Sequence, residues 1–217
     1  MDTITTQPAA PRKWNKIWLD VWTNPGTEAF WSIMKEPDHG PVRGFIWIGV
    51  TSLIVGLISG IGSFSFLRNS LPEVLNNIIL SLGCYVILTP ISAIIGMIIS
   101  TGIFHLIAKL FGGSGKWSDL VFCLAAVMAP ATLIGGVISV IWMIFSQVQV
   151  LQFLIAIIFG IVGIVLAIYY FVLYIQAIKA VENIGTGGVI VTIFGPAIVV
   201  TICILCSSLA LIPAFTR

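Results

Sequence analysis

The segment from Phe111 to Ser118 reads FGGSGKWS, and its glycines and lysine are residue types that can hold a phosphate. A phosphate-binding loop also needs a glycine six positions before its lysine and a hydroxyl residue directly after it. Leu110 and Trp117 occupy those two positions. The segment therefore does not match a nucleotide site, and its glycines are predicted to serve another purpose.

His105 and Lys109 are four residues apart and would share one face of a helix. Ionisable residues near a membrane are often functional, but a structural pair with Asp119 or Glu182 as partner is the other interpretation. Imidazole can also ligate a haem or chlorophyll metal. The only other histidine, His39, lies in the tail, so a bis-histidine site is not expected within one chain, and we expect no cofactor and no metal.

Cys203 and Cys206 have the spacing of a redox motif but lie inside an apolar run, where a lowered thiol pKa is not expected. They are interpreted as packing residues. The sequence contains no Gly-x-Ser-x-Gly and no His-Glu-x-x-His motif. We therefore expect a protein that is not an enzyme.

The composition is that of an integral membrane protein. Of the 217 residues, 59% are apolar and 8% are charged, and the mean hydropathy is +1.12, well above that of soluble domains. The net charge of +2 is too small to suggest nucleic acid as a partner. The bilayer itself is the first expected partner.

Runs of about 20 apolar residues can cross a bilayer as helices. The sequence predicts an all-α, polytopic membrane protein in which residues 1–44 form a short tail and residues 45–217 form a domain with five spans. The predicted spans are Phe45–Leu67, Ile78–Phe111, Ser118–Phe145, Leu151–Ile175 and Val189–Pro213. The second span is long enough to tilt, to kink near Pro90 or to project from the membrane.

The distribution of basic residues predicts the orientation, because positively charged loops stay in the cytoplasm. Eight of the ten lysines and arginines fall in the tail and in the second and fourth connections, whereas Arg68 and Arg217 fall on the other side. We expect a cytoplasmic N-terminus and an outside C-terminus.

The tail is expected to contain two amphipathic helices lying in the membrane plane. Its apolar residues follow helical spacing from Trp14 to Trp22 and again from Phe30 to Met34. Tryptophan prefers the headgroup region, although packing of the same rings on the protein is an equal alternative. The candidate residues for a partner or lipid interface are Trp14, Trp18, Trp22, Trp31, Lys116 and Trp117.

FGGSGKWS is interpreted as a tight turn between the second and third spans. Gly112 and Gly113 can take the positive φ that ends a helix. Ser118 can cap the next helix, whose positive end favours Asp119. Further along, Pro130 and Pro196 are expected to bend or break their spans.

The segments "TNPGTEAFWSI" and "LFGGSGKWSDL", the preceding His-x-x-x-Lys pair and the proline in "LAAVMAP" resemble the Yip family of Ypt/Rab-interacting membrane proteins. The resemblance extends from about Val21 to the C-terminus. It implies five spans with a cytoplasmic N-terminus. Eukaryotic members carry Asp-Leu-Tyr-Gly-Pro before the first span, where this chain has Asp38-His39-Gly40-Pro41. The chain looks like a prokaryotic member, which implies a prokaryotic plasma membrane as its location, and Rab binding is not carried over.

The leading functional hypothesis is a membrane scaffold or adaptor, with a trafficking-like or membrane-organising role, that binds a membrane or cytoplasmic protein or lipid through its cytoplasmic face. A homo-oligomer is a further option, because the spans contain small residues at the spacing that lets helices approach. The alternatives are a channel or small-solute transporter, indicated by the prolines, and an accessory subunit of a larger membrane complex. Residues with a structural or functional role in this scheme are His105, Lys109, Gly112, Gly113, Asp119, Pro130 and Glu182.

Overall fold

The computed structural model describes residues 12–66, 74–145, 149–196 and 198 of the chain, and every regular element within them is a helix. The first four predicted spans agree with four long helices to within a few residues, except that the fourth helix continues beyond Ile175. The helices are α1 Trp14–Thr23, α2 Thr27–Met34, α3 Pro41–Phe66, α4 Val74–Leu110, α5 Trp117–Phe145, α6 Gln149–Glu182 and α7 Thr186–Pro196.

Four of these helices are long and apolar enough to cross a membrane. The stretches that qualify are Pro41–Gly60, Val86–Leu110, Trp117–Phe145 and Phe153–Glu182. The expectation of an all-helical membrane protein is thereby confirmed. The five-span count stays a prediction, because α7 covers only the beginning of Val189–Pro213 and most of that span lies outside the described residues.

The two long helices that contain proline are not broken by it. α4 has 37 residues, a length of about 55 Å at ~1.5 Å per residue, and remains helical through Pro90. α5 likewise remains helical through Pro130. Pro196 is the last residue of the described stretch of α7, and residue 198 is also helical. Neither proline therefore breaks its helix, and a bend at Pro90 or Pro130 stays a prediction.

The core is built around α5. This helix packs against α3, α4 and α6, and α3 also packs against α4. Residues 120–127 of α5 are fully buried in an unbroken run. A helix normally buries one stripe, so burial on all sides shows that neighbours surround this part of α5. Its first turns thus form the centre of the bundle.

The two tail helices cover one end of the bundle. α1 packs mainly on α5, and α2 packs mainly on α6. Ile17 and Val21, four residues apart on α1, are fully buried, as are Phe30 and Ile33 of α2. Burial of these side chains fixes α1 and α2 to the helices below. We call this end, where α4 ends and α5 begins, the tail end.

Candidate functional site

The turn between α4 and α5 comprises residues 111–116 and closes with backbone hydrogen bonds. The amide of Gly112 donates to the carbonyl of Lys109 at 3.1 Å, and the amide of Gly113 donates to the carbonyl of Ala108 at 2.9 Å. Gly112 has φ +82°, a left-handed conformation that glycine adopts without strain. The turn interpretation of FGGSGKWS is confirmed, but the positive φ belongs to Gly112 and not to Gly113.

Helix α5 begins one residue before the predicted cap. The amides of Asp119 and Leu120 both donate to the carbonyl of Lys116, at 3.1 and 3.2 Å, which makes Lys116 the N-cap residue. Ser118 therefore lies in the first turn of α5 and does not cap it. Its hydroxyl donates instead to Oδ1 of Asp119 at 3.1 Å.

A buried carboxylate at the last residue of α6 joins three parts of the tail end. Glu182 has no exposed surface. Its Oε1 lies 2.6 Å from Nδ1 of His105 on α4, and its Oε2 accepts a hydrogen bond from the amide of Gly115 at 3.2 Å. Its main-chain carbonyl accepts a further bond from the amide of Ser114 at 3.0 Å. We call His105, Ser114, Gly115 and Glu182 the Glu182 cluster.

The glycines of the turn make this approach possible. A Cβ atom on Gly113 would lie 2.7 Å from Oε2 of Glu182 and 2.8 Å from the carbonyl oxygen of Ala108. A Cβ atom on Gly115 would lie 2.4 Å from the carbonyl oxygen of Val181. All three distances are shorter than van der Waals contact. The turn therefore needs glycine at these positions because α6 comes so close.

The Glu182 cluster has a structural role, because its hydrogen bonds connect α4, α6 and the turn between α4 and α5. Both carboxylate oxygens of Glu182 have protein partners, as a buried charge requires. Lys109 is exposed, and its ammonium donates to the carbonyl of Gly115 at 3.0 Å. No group of three histidine, cysteine or acidic residues that could hold a metal occurs in the described part of the chain. His105 and Glu182 thus form the pair that the structural interpretation of His105 anticipated.

Two tail tryptophans are fastened to the bundle through their indole N–H groups. Trp22 on α1 donates to the carbonyl of Val127 at 3.3 Å, and Trp31 on α2 donates to the carbonyl of Ala180 at 3.0 Å. The hydroxyl of Tyr169 on α6 donates to the carbonyl of Trp22. These bonds link each tail helix to a membrane-spanning helix.

Pro130 lies close to the carbonyl that holds α1 but does not free it. Proline lacks an amide hydrogen and its ring crowds the preceding turn, so the carbonyl of Ala126 receives no i→i−4 bond. The carbonyl that accepts from Trp22 is that of Val127, whose i→i−4 donor in a helix is the amide of Ala131. The tail therefore attaches to α5 one residue away from the carbonyl that Pro130 leaves without its helical bond.

The remaining tail tryptophans form an aromatic cluster with α3. Trp47 is fully buried, and the rings of Trp14 and Trp18 meet it edge-on at 6.1 and 5.8 Å. Trp18 is partly buried against the core, whereas Trp14 keeps 37% of its surface exposed. Trp18 and Trp22 therefore pack on the protein itself, and Trp14 and Trp31 are the two predicted interface tryptophans of the tail that are exposed.

Arg12 is the centre of a polar network that connects the tail helices. Its guanidinium donates to Glu36, to Asp20 at 3.2 Å and to the Ser32 hydroxyl at 3.3 Å. Arg43 in turn donates to the carbonyl of Arg12 at 2.6 Å. The sequence reasoning missed this network, because it treated Arg12 only as a positive charge. The available signal was the presence of acidic residues in the tail, since these could pair with Arg12.

The network sets the ionisation of Glu36. Partial burial raises the pKa of this carboxyl, but hydrogen bonds from the amide and guanidinium of Arg12, together with the charges of Arg12 and Arg43, lower it more. The pKa of Glu36 therefore lies below its ordinary value. The side chain is only 11% exposed, so its charge depends on these partners.

The other predicted site residues near the α4–α5 turn are Lys116, Trp117 and Asp119, and their surroundings differ from those of Glu182. Asp119 is 3.7 Å from Nε2 of His39. Lys116 is exposed, and the ring of Trp117 is partly buried 6.4 Å from that of Phe45. Asp119 thus joins the turn to the tail, while the partner of His105 is Glu182.

Comparison with known proteins places the chain in a family. The family model described as the Yip1 domain matches residues 19–208, which include the second half of α1, all of α2 and the four described stretches that are long enough to cross a membrane. No curated protein and no solved structure matches the chain significantly. The long apolar helices and the family match both indicate an integral membrane protein. The chain belongs to the Yip family of integral membrane proteins.

Proposed function

We propose that this protein is a non-enzymatic membrane scaffold or adaptor that presents the outward face of its docked tail to a protein or lipid partner. In this proposal the chain crosses the membrane five times, with its N-terminus and tail end in the cytoplasm and its C-terminus outside. The biased distribution of lysine and arginine supports this orientation. Proteins of the Yip family are generally not enzymes.

The observation that carries the proposal is the fixed position of the tail. Ile17 and Val21 anchor α1 in the core, and Trp22 and Trp31 bind main-chain carbonyls of α5 and α6. A segment ordered in advance loses less conformational entropy when it binds a partner. A docked tail is thus suited to recognition, whereas a free tail would first have to be ordered.

The outward side of the tail combines positive charge with exposed apolar surface. Lys13 and Lys16 are exposed on either side of Trp14, and Leu19 is 64% exposed. Trp31 on α2 is also exposed. We call Lys13, Trp14, Lys16, Leu19 and Trp31 the outer tail surface. Basic residues beside aromatic ones fit an acidic protein surface or anionic lipid headgroups.

The transporter alternative has lost the feature that suggested it. It rested on proline-interrupted spans, in which freed carbonyls could bind a solute. α4 and α5 are continuous through Pro90 and Pro130, so neither span is interrupted at its proline. The adaptor therefore remains the function that the geometry supports best.

The test is partner recovery from nanodiscs that contain the full chain. A triple variant Lys13→Glu, Lys16→Glu and Leu19→Ser changes the outer tail surface while leaving Ile17, Val21 and the tryptophans in place. We expect it to recover much less of the partners that the wild type retains, as identified by mass spectrometry.

The matched control is Lys13→Arg with Lys16→Arg and Leu19→Met, which keeps charge and apolar area at the same positions. It should recover partners as the wild type does. Equal recovery by the triple variant and by this control would overturn the adaptor proposal. Chymotryptic cleavage after the tryptophans of α1, which both variants keep, should stay slow in both, which shows that the tail is still docked.

A further inference from the structure

A groove runs between α5 and α6, directly beside the docked tail. It has a volume of about 360 Å³ and is lined by small residues of both helices, including Ala131 and Gly135 on α5 and Gly163 and Ala167 on α6. A Cβ atom on Gly135 or on Gly163 would meet nothing within 4 Å. The small residues here do not serve close helix contact, so the space beside them is open.

The groove opens to the membrane. Both of its walls belong to membrane-spanning stretches, and bulky apolar side chains such as Ile138 and Leu166 complete the lining. The neighbouring surface is apolar and exposed, with Val137 at 55% and Ile164 at 62%. The groove is therefore continuous with the surface that contacts lipid chains. An apolar space at this depth disfavours water and charged ligands.

One end of the groove is closed by the tail. Trp22 lines the groove, while its indole N–H is bound to Val127 and its carbonyl accepts from Tyr169. Tyr170 also lines the groove, and its hydroxyl donates to that of Tyr174 at 3.0 Å. The polar groups nearest the groove thus have protein partners. What remains for a ligand is apolar surface, without a headgroup site.

We propose that this groove holds one acyl chain of a bilayer phospholipid, and that the bound chain stabilises the docked position of α1. A linear hydrocarbon chain matches a narrow apolar groove that opens sideways into the bilayer. An empty groove would leave its lining without van der Waals partners. This inference concerns the membrane-embedded side of the protein and does not depend on what the outer tail surface binds.

Coupling to the tail follows from the position of Trp22. The bound chain contacts Trp22 of α1 and the small residues of α5 and α6 at the same time. A ligand that gains contacts only when two parts are together favours the state in which they are together. Acyl-chain binding and tail docking therefore stabilise each other, and undocking of α1 removes one end of the site.

The experiment uses the full chain in nanodiscs that contain a phospholipid with a photoreactive group on one acyl chain. After irradiation, mass spectrometry locates the labelled peptides. In the wild type we expect labelling concentrated on residues 131–138 and 163–170. In the variant Gly135→Leu with Ala167→Leu, which fills the groove, labelling there should fall by about tenfold, the factor that corresponds to ~1.4 kcal/mol of lost binding.

Gly160→Leu is the matched control. Gly160 lies on α6, as Ala167 does, and a Cβ atom there would meet nothing within 4 Å. It does not line the groove, so the Gly160→Leu variant should keep the wild-type labelling pattern. Labelling that is spread evenly over α4 and α6, or that falls equally in both variants, would overturn the proposal. So would cross-linking of two chains through Gly135→Cys, because a second copy would then occupy the groove.

If the variant Gly135→Leu with Ala167→Leu does not fold, a second measurement tests the proposal. Amide hydrogen exchange of α1 is compared for the wild-type chain in a detergent of short chains and after transfer to phospholipid nanodiscs. We expect slower exchange of α1 with phospholipid, and less effect of phospholipid in the smaller variant Ala167→Val. Exchange of α1 that is the same under both conditions would overturn the coupling to the tail.

Discussion

His105 and Glu182 are 77 residues apart in the sequence, yet Nδ1 of His105 lies 2.6 Å from Oε1 of Glu182. The contact joins the ends of α4 and α6, and the amide of Gly115 adds the α4–α5 turn to it. Because Glu182 is fully buried, its carboxyl oxygens have no access to water and depend on these partners for hydrogen bonds. The pair therefore connects the end of α4 to the end of α6 through polar side chains.

Removal of either partner should destabilise the bundle. His105→Ala leaves a buried carboxylate with fewer partners, and Glu182→Ala leaves the imidazole and the Gly115 amide unpaired. We expect each to cost about 2–4 kcal/mol of unfolding free energy. The double variant should cost less than the sum, by ~1–3 kcal/mol. Unfolding in detergent measures this cycle, and strict additivity would show that the two side chains do not interact.

The turn glycines give a prediction with an internal control. Gly115→Ala would place a Cβ atom 2.4 Å from the Val181 carbonyl oxygen, so the turn must move away from α6. We expect a loss of about 2–4 kcal/mol. In Gly102→Ala the new methyl meets nothing within 4 Å inside helix α4, where alanine is better than glycine by ~0.5–1 kcal/mol. A thermal shift of the same sign in both variants would contradict the steric argument.

The fold could be predicted from the sequence where local physics decides it. Apolar runs of sufficient length predicted α3 to α6, and glycines beside Lys116 predicted the turn. The contacts of Arg12 could not be predicted in the same way, and the sequence left the partner of His105 open between Asp119 and Glu182. Glu182 meets His105 only because α4 and α6 end side by side, and Arg12 meets Glu36 only because the tail folds back on itself. Such contacts depend on tertiary packing, which residue spacing does not encode.

Helical spacing also left the role of the tail tryptophans open between lipid and protein contact. The spacing correctly indicated that Trp18 and Trp22 share a face with Ile17 and Val21. Which surface covers that face depends on where α1 packs. The structure puts this face on α5, so the surface available to a partner is the opposite one.

The stabilising effect of Glu36 should depend on pH. Its pKa in the folded protein is lower than the ordinary value of 4.5, so the unfolded chain takes up a proton first as the pH falls. The contribution of Glu36 is fully present above about pH 4.5 and is lost as the pH falls through the lower, folded pKa. Wild type should therefore be more stable than Glu36→Gln at pH 7, and this difference should shrink toward pH 3.

Unfolding midpoints of the two proteins between pH 3 and 7 measure the effect. Glu28→Gln changes an exposed acid in the same tail and should show a much smaller difference from wild type at every pH. In an Arg12→Gln background, the Glu36→Gln substitution should matter less, because the main partner of the carboxylate is gone. A pH-independent difference between wild type and Glu36→Gln would contradict this account.

Docking of the tail should depend on two single hydrogen bonds. Trp22→Phe and Trp31→Phe keep an aromatic ring but remove the donors to Val127 and Ala180. Each loss should cost about 1 kcal/mol, which raises the undocked fraction of the tail by about fivefold. Amide exchange in α1 and α2 should become faster to that extent, while exchange in α5 stays slow.

Trp14 provides the comparison for this last prediction. Its ring contacts Trp18 and Trp47, and its side chain is partly exposed, so Trp14→Phe keeps most of that packing. We expect exchange in α1 close to that of the wild type. If Trp14→Phe loosened α1 as much as Trp22→Phe does, ring size and not the bond to Val127 would govern docking. The hydrogen bond from Trp22 to the carbonyl of Val127 would then have no special part in holding the tail.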